Sequence, residues 1–129
     1  MKRFALEKLK KWKENKNKKP LIIRGARQVG KTWLMKEFGK LYYENTVYIN
    51  FDKNETMKQL FGRDLDISRI IKGLELVYST KINSENTLLI FDEVQECAEA
   101  LNSLKYFREK AAEYHIVAAG SLLAELVAG

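Results

Sequence analysis

The sequence predicts an α/β three-layer sandwich built on a mainly parallel sheet. Two observations carry this. Short runs that are apolar nearly throughout recur along the chain, as strands covered on both faces require. Between them lie segments whose apolar residues repeat at helical spacing, so strand and helix alternate. Crossovers between the parallel strands are expected to be right-handed.

In chain order, Phe4, Leu6, Leu9 and Trp12 form a loose helical stripe, and residues 3–14 read as a short basic helix. The Lys/Asn-rich stretch Lys13 to Lys19 follows, and Pro20, the only proline, breaks the helix. Leu21-Ile22-Ile23 is the first buried strand. Leu34, Phe38, Leu41 and Tyr42 then fall on one helical face. Val47, Ile49 and Phe51 alternate as a second strand. Ile67, Ile70, Ile71, Leu74 and Tyr78 mark a helix with Asp64 or Asp66 as N-cap. Leu88 to Phe91 is the third strand, and Cys97, Leu101, Leu104 and Phe107 or Arg108 trace the next helix. Ile116 to Ala119 is the fourth strand, with an apolar, helical end after it. Residues 1–19 thus read as a basic helix or tail and residues 20–129 as one domain.

Composition bounds the rest. At 129 residues the chain suits a single domain that can bury a core without staples. Cys97 is the only cysteine, so no intramolecular disulfide can form. Met1 to Leu6 imitates the basic head of a signal peptide, but Glu7, Lys8, Lys10 and Lys11 interrupt the apolar stretch that would follow. No membrane span is expected, and a cytoplasmic location is. Residues 1–20 hold nine bases and two acids, a net of +7, so the chain's total of +6 leaves −1 for the remainder. The basic character belongs to the start of the chain and not to its body.

Gly25-Ala26-Arg27-Gln28-Val29-Gly30-Lys31-Thr32 matches G-x-x-x-x-G-K-[ST] without departure. Glycines let a loop take backbone angles closed to other residues and bring its N–H groups close to phosphate oxygens. The loop opens a helix, whose N-terminus also favours an anion. Gly25 through Thr32, with Trp33 next to them, are the expected nucleotide contacts. Lys31 is expected to reach the β- and γ-phosphates and Thr32 to place its hydroxyl on Mg²⁺, with ATP as ligand. Arg27 either touches phosphate or points outward to an acid.

Leu88-Leu89-Ile90-Phe91-Asp92-Glu93 is a buried strand ending in two carboxylates, at the strand end where open α/β sheets place ligands. Asp92 is expected to serve Mg²⁺, and Glu93 to polarise an attacking water. A plain alternative makes one of them a cap of the following helix. Ser121, after the fourth strand, is a candidate for contacting the γ-phosphate or that water, or else the N-cap of the last helix. Trp12 and Phe4 read as packing rather than as an adenine clamp. His115 has no second ligand nearby in sequence. Cys97 reads as core.

The runs Leu21 to Thr32, Val47 to Asp52, Leu89 to Gln95 (with its Asp-Glu-hydrophobic-Gln ending) and Ala119 to Leu123 resemble the P-loop, second strand, Walker B and sensor segments of a family of bacterial and archaeal AAA-type ATPases. The likeness covers nearly the whole chain, from about Phe4 to Leu123. It implies a P-loop NTPase of the additional-strand class. In that class the Walker B strand stands apart from the P-loop strand in sequence but, on this reading, not in space. It also implies a longer protein, with a fifth strand and a C-terminal domain of unknown function for which nuclease-like or DNA-binding features are suggested. The expectation is therefore an N-terminal fragment, cut before the fifth strand, or a P-loop strand edge covered by a second copy. No arginine finger is assignable within the chain.

Two function classes follow. One is an ATPase in which Lys31, Thr32 and Asp92 hold Mg-ATP while Glu93 and Ser121 act on water. The other is a nucleotide-dependent DNA-binding module that uses the basic start, which could equally meet a protein partner. A small-molecule kinase fits the carboxylate pair poorly, and Asn15 to Lys18 lacks the aspartate that reads guanine.

Overall fold

All four apolar runs become strands: β1 (Leu21–Ile23), β2 (Asn45–Asn50), β3 (Thr87–Asp92) and β4 (His115–Ala119). They pair in the order β1-β4-β3-β2, every pair parallel. The computed structural model describes residues 2–23 and 30–120. The helices among these residues are α1 (Lys2–Glu14), α2 (Lys31–Tyr42), α3 (Glu55–Gly62), α4 (Ile67–Tyr78) and α5 (Ala98–Lys110), with a 3₁₀ turn at Val94–Glu96.

Alternation along the strands builds two cores, because successive side chains leave a sheet on opposite faces. Leu88 and Ile90 of β3 and Val117 of β4 pack with Leu9, Met35 and Phe38, under α1 and α2. Leu89 and Phe91 pack with Met57, Phe61, Ile70, Leu74 and Phe107, under α3, α4 and α5. Every residue of β3 and β4 is buried, which is why their sequence reads as unbroken apolar runs. Phe51, Phe61, Phe91 and Phe107 meet edge to face through the second core, at centroid separations of 5.3 to 6.3 Å. The sandwich has helices on both sides of the sheet, as the pattern requires.

Five details differ from expectation, the first being that Phe4, read as packing, is 66% exposed. The strand carrying Asp92 does not lie beside the P-loop strand, since β4 runs between them with Ile22 opposite Ala118 and Phe91 opposite the same residue. Leu41 is 53% exposed, because the buried stripe of α2 runs through Met35, Phe38 and Gly39 and Leu41 lies to its side. Helix α3 has no counterpart in the sequence reading. Its apolar anchors are few, Met57 and Phe61 one turn apart, and its start is set by Asn54, whose side chain accepts from Met57 N at 3.1 Å. Cys97 precedes α5 as its N-cap residue instead of lying on its face; it is buried, and that burial pushes its thiol pKa up. Asp66, by contrast, caps α4 as expected.

Helix α1 is docked. Leu9 is buried, Trp12 packs on Phe38 and His115, and Lys13 Nζ donates to the Tyr42 carbonyl at 2.9 Å. Among the described residues no helix is long and apolar enough to cross a membrane.

Candidate nucleotide site

The site forms where β3 ends and α2 begins. Gly30 has φ +115°, a left-handed conformation that L side chains rarely adopt, and α2 starts at the next residue. Thr32 therefore sits in the first turn of α2, at the edge of the sheet where the parallel strands terminate. Asp92 shares parity with Leu88 and Ile90, so its side chain leaves β3 on the α2 side. The result is a direct contact across 60 residues of sequence: Thr32 Oγ1 donates to Asp92 Oδ2 at 2.7 Å.

Asp92 is only 6% exposed, and three donors compensate its charge. Oδ2 also accepts from the Tyr48 hydroxyl at 2.7 Å, and Oδ1 accepts from the Glu93 backbone N–H at 3.0 Å. The sequence argument supplied only a cation for this carboxylate; the fold adds two hydroxyls and an amide. The sequence reading did not place Tyr48 at the site. Tyr48 lies between Val47 and Ile49, so β-strand parity puts it on the α2 side, but only the pairing of β2 with β3 places it opposite Ile90, two residues before Asp92 on the same face. Burial, with the Asp92 carboxylate next, holds its hydroxyl well above the ordinary tyrosine pKa. Lys36 Nζ of α2 stands 4.1 Å from the centre of its ring.

Glu93 has φ 53° and ψ 43°, a left-handed conformation costing a non-glycine residue roughly 1–2 kcal/mol. The turn ends the strand abruptly. The half-buried Glu93 side chain is held by Gln95, whose Nε2 donates to Glu93 Oε1 at 2.8 Å. Gln95 belongs to the motif quoted from the sequence, which assigned it no role.

Of the expected site residues, Thr32 and Asp92 touch, Glu93 adjoins them in the chain, and Lys31 and Trp33 occupy the same first turn of α2, Trp33 being 44% exposed. Gly25, Ala26, Arg27, Gln28, Val29 and Ser121 lie outside the described residues. Trp12 is engaged in packing, and its Nε1 donates to the Lys19 carbonyl at 2.7 Å. His115 is buried beside the Tyr43 hydroxyl, with which its Nδ1 shares a hydrogen bond. Burial, and then the charges of Lys18 and Lys13, lower its pKa to about 4.

A family model described as an AAA domain matches residues 17–128. The chain belongs to the AAA domain family. Comparison with curated proteins and with solved structures finds no match. Membership implies a nucleotide-binding ATPase domain, and the α/β sandwich with an all-parallel four-stranded sheet agrees with it.

The donor set of this AAA domain suits Mg²⁺. A threonine hydroxyl and a carboxylate are hard oxygen donors, and Mg²⁺ commonly takes only one or two carboxylates, filling its shell from water and phosphate. Among the described residues no three His, Cys, Asp or Glu side chains gather into an all-protein cage, and Mg²⁺ does not need one.

Proposed function

We propose that this AAA domain binds Mg-ATP in the loop 25–32 and hydrolyses it. The observation that carries the reading is the 2.7 Å contact between Thr32 and Asp92 at the sheet edge, which brings the end of the G-x-x-x-x-G-K-[ST] motif to the acidic strand end. Thr32 and Asp92 are the residues that would hold Mg²⁺, which when bound offsets phosphate charge. Lys31 binds the β- and γ-phosphates, and the loop's N–H groups with the α2 N-terminus take up the remaining negative charge. Trp33 borders the nucleotide. Glu93 orients a water and accepts its proton as the water attacks the γ-phosphorus and the bond to the β-phosphate oxygen breaks. Ser121 contacts the γ-phosphate or that water.

Titration with labelled ATP, with and without Mg²⁺, followed by a turnover assay, tests this. Lys31→Ala is expected to abolish binding. Glu93→Gln is expected to keep binding and lose turnover by about 10²–10⁴-fold, the range of general-base contributions. Hydrolysis by the Glu93 variant at the wild-type rate would remove Glu93 from the mechanism.

A second reading, a nucleotide-dependent DNA-binding module, rests on the docked α1 and the segment after it, which leave Lys8, Lys11, Lys16 and Lys19 exposed. Replacing these four by alanine, which spares the buried Leu9, should abolish salt-dependent DNA binding if they track phosphates. No binding by the wild-type protein at low salt would dismiss that reading.

A further inference from the structure

The Gln95 side chain bridges two parts of the site, and its two ends are in unequal circumstances. Nε2 faces carboxylates, Glu93 Oε1 at 2.8 Å and Glu96 Oε2 at 3.4 Å. That settles which way the amide points, since the flipped amide would set its carbonyl oxygen against them. Oε1 is consequently turned inward, where it is buried with no hydrogen-bond partner among the described residues. It lies against Gly120, at the tip of β4: a Cβ placed on Gly120 would come within 1.8 Å of Gln95 Oε1 and 2.9 Å of Cδ. The next nearest atom, Val94 N, is at an ordinary 3.6 Å, and the φ of Gly120 is not in the left-handed region. A side chain at this position would therefore have to displace the amide end of Gln95, whereas the backbone angle itself does not call for glycine.

Buried carbonyl groups rarely go without a donor, and those that do call for an explanation. The explanation here lies at the other end of the amide. We propose that Gln95 is a positioning residue that holds the Glu93 carboxylate and ties it to the tip of β4 at Gly120. Rotation of the Glu93 side chain is restricted by one bond from a neighbour two residues on. That neighbour is in turn fixed by contact with a different strand. A shift of the β4 tip then displaces Gln95 and, through Nε2, Glu93. This rests on the reading of Glu93 given above.

The test is a double-mutant cycle with two readouts. On the nucleotide-free protein, Gly120→Ala is expected to lower the melting temperature by roughly 4 °C or more. In the Gln95→Ala background, where Oε1 and Cδ are gone, it should lower it no further. In turnover, Gln95→Ala and Gln95→Met are each expected to reduce kcat on the order of 10²-fold with ATP affinity unchanged, as displacement of a catalytic group does. Gln95→Met keeps the bulk, so it should retain the clash with Gly120→Ala while losing the bond to Glu93. Equal destabilisation by Gly120→Ala in both backgrounds overturns the tie to β4. Wild-type kcat in the Gln95 variants, where Glu93→Gln is inactive, overturns the positioning role alone. Absence of turnover in the wild type, or full activity of Glu93→Gln, sinks the reading of Glu93 and this inference with it.

Discussion

Stability between pH 7 and pH 5 should depend on a single buried imidazole. His115 opens β4 and is 7% exposed, in contact with the Trp12 and Tyr43 rings at centroid separations of 5.8 and 5.3 Å. Protonation would put a positive charge on a ring that shares a hydrogen bond with the Tyr43 hydroxyl in a pocket already poorly solvated and near Lys18 and Lys13. Its pKa falls from 6.5 to about 4 on folding. Between those values the unfolded chain binds a proton that the folded chain refuses, so stability rises with pH there. The contribution is complete above about pH 6.5 and is lost as the pH drops toward 4. Over the whole window this amounts to about 3 kcal/mol, and between pH 7 and pH 5 to about 2 kcal/mol. Urea unfolding followed by tryptophan fluorescence measures it directly, with carboxylate contributions removed by comparison to His115→Asn. The asparagine amide can donate to or accept from the Tyr43 hydroxyl near the Nδ1 position and cannot titrate. If the variant loses as much stability as the wild type over this interval, His115 is not the cause and the burial argument fails.

Tyr48→Phe removes one of two hydroxyls on Asp92 Oδ2, so it should weaken the Mg²⁺ dependence of ATP binding by about tenfold, as for loss of a residue orienting a metal ligand. ATP affinity without Mg²⁺ should stay the same; a uniform loss would mean that Tyr48 serves the fold alone. Gly39→Ala should destabilise, although alanine favours helix, because the new Cβ would meet Thr46 Oγ1 at 2.3 Å, Cγ2 at 2.9 Å and Cβ at 3.1 Å. No rotamer of Thr46 clears its own Cβ, so a net loss of about 1–3 kcal/mol is expected in urea unfolding, and a gain in stability would show that α2 shifts freely on β2.

What the sequence alone determined was the class of fold and the identity of four strands. Strands buried on both faces must be apolar nearly throughout, and β3 and β4 have little choice but to declare themselves. The loop motif is equally legible as a pattern, since its fixed glycines, lysine and threonine are neighbours in the chain and need no fold to be read. Tertiary structure decided the neighbours. That β4 separates β1 from β3, that Tyr48 reaches Asp92 and that Gln95 rests on Gly120 all depend on strand order and register, which arise from packing between segments far apart in the chain. A period of two assigns Tyr48 to a face but not to a partner, and a period of 3.6 could not show that Leu41 would miss the core. Local chemistry is written in neighbouring letters; long-range contact is settled only when the sheet is assembled and two helical layers close over it.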